Sequence, residues 1–134
     1  MKHVGGVLFA LLLLAAMAVT QQQKQSNNNS VPAYNPGQEQ TFSGTIQEVR
    51  DYQCPVSGTI GSHISLKGGG DTLEVHLAPA TFLKQYNIVL QPGDQVKITG
   101  VKFVFEGKPA ILAREIVAGQ STFTFRDGKG RPEW

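Results

Sequence analysis

The 134-residue chain has a single cysteine, Cys54, a single tryptophan, Trp134, and almost no charge bias, with 12 Lys and Arg against 10 Asp and Glu. Each shortage excludes something. One cysteine closes no internal disulfide, so in an oxidising compartment the fold must be held by its core. A formal charge of +2 leaves no electrostatic footprint for a polyanion. Catalytic grammar is missing too. No nucleophile elbow, helical zinc motif or spaced carboxylate pair accompanies Ser57, Ser65, His63 and His76. Gly68 to Gly70 lacks the Lys-Ser/Thr and the helix that follow a phosphate loop. The sequence therefore reads as a non-enzyme.

What it does have begins at the N-terminus. Met1-Lys2-His3 is a short basic start, and Val4 to Val19 follows without a charge. This is the layout of a secretory signal, and Ala16-Met17-Ala18 supplies the small residues that signal peptidase needs. Cleavage is expected after Ala18, giving a periplasmic or secreted protein. The competing expectation is an uncleaved anchor, although the apolar run is somewhat short of the roughly 20 residues that span a bilayer. No cysteine follows the run, which sets a lipid anchor aside. Gln21 to Gln40 reads QQQKQSNNNSVPAYNPGQEQ, with too little apolar surface to repay the entropy of ordering. Residues 19–40 are therefore expected to be a disordered polar linker.

From residue 41 the pattern changes to short strands and turns. Phe42, Gly44 and Ile46 alternate with polar residues, giving a first strand over residues 41–47. A loop from Asp51 to Ser62 leads to a second strand from His63 to Lys67, and Gly68 to Asp71 turns it into a third from Thr72 to Leu77. Pro79 opens a short helix with Phe82, Leu83 and Tyr86 on one face. Pro92-Gly93 fits a type II turn before a long strand from Asp94 to Phe105, whose change of parity at Gly100 predicts a bulge. A hairpin at Glu106 to Pro109 returns through Ala110 to Val117, and Ser121 to Arg126 adds an extra strand. A short helix between the third and fourth strands of a small β-rich domain is the order of an OB-fold. The expectation is a mainly β, five- to six-stranded OB-fold-like barrel over 41–126, with a tail over 127–134 and a simple sandwich as the alternative.

Particular stretches carry a family likeness: VHLAPATF at Val75 to Phe82, PGDQVKITG at Pro92 to Gly100, AREIV at Ala113 to Val117 and the ending FRDGKGRPEW. In these the chain resembles small exported bacterial OB-fold-like proteins of unassigned function. The likeness implies the barrel and no particular chemistry.

The first hairpin holds the best candidate site. Centring its turn between Gly69 and Gly70 opposes His63 to His76, Ser65 to Glu74 and Lys67 to Thr72, while Ile64 meets Val75 and Leu66 meets Leu73. A slip by one residue would set polar side chains against the apolar set, so the pattern selects its own register. Two histidines directly opposed sit close enough to share a metal, copper or zinc by donor type, with Glu74 as a third ligand and Cys54 joining if its loop folds back. A solvated strand face carries the same residue types, and Cys54 also reads as a small buried hydrophobe. Trp134 is costly to leave in water, so it either folds back or docks on a partner.

Two functions follow. One is an exported, non-catalytic binding or interaction module of the bacterial cell envelope, presenting His63, Lys67, Glu74, His76 and Trp134 to a protein or envelope component. The other is a metal-binding protein using His63, His76, Cys54 and Glu74. Nucleic acid fits less well, because the hairpin offers Lys67 but no stacking aromatic.

Overall fold

The structure, a computed structural model, describes residues 33–134. The expected signal segment, its cut after Ala18 and the linker as far as residue 32 lie outside the described residues. In chain order the elements are β1 (Gln40–Cys54), β2 (Thr59–Gly68), β3 (Asp71–Pro79), α1 (Ala80–Gln85), β4 (Gln95–Phe105), β5 (Lys108–Ala118) and β6 (Ser121–Thr124). Antiparallel neighbours run β3, β2, β1, β4, β5, β6, and a parallel pairing of β3 with β5 closes the first five into a barrel. With α1 between β3 and β4, this is the OB-fold-like arrangement that the strand order implied.

The longest difference from expectation is β1, which runs on to Cys54 through residues read as a loop. Its register slips between Ile46 and Glu48. That bulge lets Ile46 and Val49, three apart, both meet the interior, and alternation then turns Arg50, Tyr52 and Cys54 to the opposite face. A second bulge, between Thr99 and Gly100 in β4, falls where the parity change placed it. Only glycine fits there, because a Cβ would collide with the carbonyl oxygen of Leu112. β6 stops at Thr124 because the N–H groups of both Phe125 and Arg126 donate to the Arg114 carbonyl, at 2.7 and 3.2 Å, and break the ladder.

Ile46, Ile64, Leu66, Val75, Ile98 and Ile111 fill the barrel beneath Phe82 and Leu83 of α1. Tyr86, expected on the same helical face, caps the helix and stays exposed. A second, smaller cluster holds Cys54, Phe105 and Ala110 with Tyr52, Val56 and Phe103 packed against them. It covers the face of β2 and β3 opposite to Ile64 and Val75.

The linker expectation fails for its last residues. Asn35 caps a short turn over Pro36–Gln38, and Tyr34 packs on Gly130 and lies beneath the Arg126 guanidinium, 5.5 Å from ring centre to Cζ. Glu39 accepts from Tyr34 Oη at 2.7 Å and from Arg114 Nε at 2.5 Å. Two arginines, Arg114 and Arg126, supplied from more than 70 residues away, order what composition alone could not. The Arg114 guanidinium holds the Glu39 carboxyl below its usual range, so this contribution is present at neutral pH and is lost as pH falls below about 4.5. Glu39→Gln is expected to cost about 1 kcal/mol, read as a melting point lower by roughly 4 to 8 °C at pH 7, with the difference shrinking as pH falls below 4.5.

Candidate metal centre

Three strands bring the site together. β1 contributes Cys54 from its last residue, β2 His63 and β3 His76, with His63 opposite His76 in the register that the apolar pairs dictated. A bulge between Ser62 and His63 sets the start of that register. The turn from Cys54 to Thr59 is tight: Gly58 N–H donates to the Cys54 carbonyl at 3.0 Å. Gly61 is crowded by the site, since a Cβ would lie 2.8 Å from Ser57 Oγ, 3.0 Å from His63 Cε1 and 3.3 Å from Cys54 Cβ.

The expectation of a solvated hairpin face is overturned for this pair. His63 and His76 are each only 2% exposed and Cys54 is fully buried. The cover is aromatic. Tyr52 stacks flat on His63 with ring centres 3.8 Å apart, and Phe105 and Phe103 meet His76 edge-on at 4.5 and 5.1 Å. Sequence reading missed this role of Tyr52, Phe103 and Phe105. The signal for Tyr52 was present, since Arg50, Tyr52 and Cys54 alternate at period two across the supposed loop.

His63 Nε2 lies 3.1 Å from His76 Nδ1, and Cys54 Sγ lies 3.5 Å from the same Nδ1. The three donor atoms are all within 4.8 Å of one another. Bond lengths of about 2.3 Å to sulfur and 2.0 to 2.1 Å to imidazole place the ligands of one tetrahedral ion about 3.3 to 3.6 Å apart. The cluster is therefore close to the spacing that a single ion needs. Burial lowers the proton affinity of both imidazoles; for His76, with His63 adding to the effect, the pKa is pushed down to about 4. Burial raises that of the Cys54 thiol. Two neutral imidazoles are the form in which histidine binds metal.

The distal nitrogens sharpen the fit. His63 Nδ1 and His76 Nε2 are buried without a hydrogen-bond partner, a cost of about 1 to 3 kcal/mol each that an apolar pair would avoid. Glu74, expected as a ligand, stands behind His76 rather than among the donors, its Oε1 3.9 Å from His76 Nε2. It also accepts a hydrogen bond from Tyr52 Oη. Carboxylates in that position commonly orient metal-bound histidines. Lys67 is not brought to the cluster; it is exposed near the hairpin tip, opposite Thr72. Trp134 folds back onto Phe82, 6.1 Å between ring centres, and onto the Arg126 guanidinium at 5.1 Å, and is 39% exposed.

The MamS/MamX magnetosome protein family matches residues 38–123, the span of the whole barrel. The chain belongs to that family. The match takes in Cys54, His63 and His76, so the cluster lies within the family region rather than in an appendage. No curated protein matches the chain. Among solved structures it is similar to a chain of the S. pombe Stn1–Ten1 complex, at 15% identity and a TM-score of 0.49 over 62% of this chain. It spans 59% of that chain. It is also similar to an OBody bound to hen egg-white lysozyme, at 21% identity and a TM-score of 0.46 over 62% of this chain and 94% of that one. A third likeness is to the S. cerevisiae mitochondrial single-stranded DNA binding protein Rim1, at 9% identity and a TM-score of 0.43 over 66% of this chain and 96% of that one.

Proposed function

We propose that this member of the MamS/MamX family is a non-catalytic metal-binding domain that holds one copper or zinc ion between Cys54, His63 and His76. The observation that carries the reading is a buried thiol and two buried, neutral imidazoles whose donor atoms converge within 4.8 Å. Structural histidines in a core normally satisfy both ring nitrogens, and here one nitrogen of each has no partner. Thiol catalysis is the weaker use of the same residues, because a reactive cysteine needs a lowered pKa and access, and Cys54 has neither.

The family's association with the magnetosome and the charge-free N-terminal run together support an envelope location, with the ion exchanged with another envelope component. Interaction with a protein partner remains the second reading. It is favoured by one observation, an open groove lined by Phe82, Tyr86, Ile88 and Phe123 beside the free edge of β6. Metal analysis of the purified chain tests the first reading. One equivalent of copper or zinc is expected in the wild type and under 0.1 equivalent in His63→Ala with His76→Ala, on the order expected when two of three ligands are removed. Equal metal content in both proteins would overturn it.

A further inference from the structure

We infer that the ion for which this site is built is Cu(I), held by three protein ligands with no water. The inference rests on the metal-binding reading above and narrows its two metals to one oxidation state of one of them.

The donor count comes first. Among the described residues the cluster offers three ligand atoms, and the carboxylate nearest to it, Glu74, lies behind His76. Zinc sites with three protein ligands complete their shell with a water. Here the free space beside Cys54, His63 and His76 is a cavity of about 10 Å³, at the lower limit for one water molecule. Its remaining walls include Ser57, Ser62 and Arg126 as well as Val56, Leu77, Ala78 and Leu112, so it is the small volume, and not an apolar lining, that leaves little place for a water. Cu(I) is stable with three ligands and needs none.

Charge gives the same answer independently. When Cu(I) binds, the Cys54 thiol gives up its proton to solvent. One positive ion, one thiolate and two neutral imidazoles then sum to zero. A divalent ion at the same atoms leaves a net positive charge in a dry, aromatic-walled site, where uncompensated charge is costly. Glu74 offsets that charge only in part, since its carboxylate is half committed to Tyr52 and separated from the ion by the His76 ring.

The test is competition on the full chain under anaerobic conditions. Cu(I) is titrated against a chromophoric Cu(I) chelator and Zn(II) against a zinc chelator, and the copper-loaded protein is measured by X-ray absorption at the copper edge. The expected results are Cu(I) binding on the order of 1,000-fold tighter than Zn(II), and a shell of one sulfur and two nitrogens. Cys54→Ser should remove most of that preference. Because that variant is buried and its folding must be checked, Glu74→Gln provides a second arm: it should weaken Zn(II) more than Cu(I), since its charge matters more to a divalent ion. Equal or tighter binding of Zn(II), or a fourth ligand on copper, would overturn the Cu(I) assignment and leave the metal site standing. No binding of either metal would overturn both.

Discussion

Loading the proposed site with Cu(I) is expected to raise the melting temperature by on the order of 20 °C, and Cys54→Ser to lose most of that rise. The size follows from linkage. An ion that binds only the folded chain stabilises it by about 4 kcal/mol when its free concentration is about 1,000 times the dissociation constant. In a domain of this size each kcal/mol moves the melting temperature by roughly 4 to 8 °C. The metal-free fold is poised to gain, because two orphaned imidazole nitrogens and a thiol that is free of any disulfide are already buried. Ligation through Nδ1 would make His76 Nε2 an obligate donor, and the Glu74 carboxylate, 3.9 Å away, would have to close by about 1 Å to accept from it. Scanning calorimetry with and without one equivalent of Cu(I), under anaerobic conditions, measures the shift. An unchanged transition would mean that the three donors do not act together.

The metal-free protein should lose about 3 kcal/mol of stability between pH 6.5 and pH 4. His76 in the fold takes up its proton only near pH 4, because burial and the neighbouring His63 disfavour the charge, whereas in the unfolded chain it does so near 6.5. Between those values the unfolded chain binds the extra proton and the folded one does not, so lowering the pH favours unfolding throughout the window. Below it both states are protonated and this loss stops. His63 shifts in the same direction. Glu39 acts in a different window, beginning near 4.5 and extending downward, so the two effects separate on the pH axis. Urea midpoints at half-unit steps from pH 7 to pH 3 resolve them. A flat profile from 7 to 5 would show that the imidazoles are not buried as described.

Much of this centre was legible in the sequence, and the boundary of what was legible is physical. The register of β2 on β3 followed from period-two alternation, because Ile64 and Leu66 against Val75 and Leu73 admit only one apolar pairing. That placed His63 opposite His76. The bulge at Gly100 was visible as a change of parity, and the turn at Pro92-Gly93 as turn chemistry, matched by Gly93 at φ 94°. Burial of the histidines was not visible, because it depends on Phe103 and Phe105, some 30 residues further along and brought over the hairpin by the parallel β3–β5 pairing. Cys54 was assigned to a loop on the strength of Asp51 and Pro55. The bulge near Gln47 had shifted the strand's parity, and with it the face on which Tyr52 and Cys54 lie. Glu74, a possible third ligand on register alone, lies outside the converging donors because register fixes which strand face a residue occupies and not how far its side chain reaches.

The length of β1 has a consequence for the order of events during folding. Its second half, with β2 and β3, forms an antiparallel meander that contains all three donors within residues 54–76. Such sequence-local pairings form early, while the parallel β3–β5 closure that brings Phe103 and Phe105 over the site joins distant segments and forms late. The donors therefore assemble in the open and are sealed afterwards. On the proposed function, an ion present during folding would be taken up before the aromatic cover exists, whereas one added to the finished barrel would have to wait for that cover to part. Uptake during refolding should accordingly be much faster than uptake by the native protein.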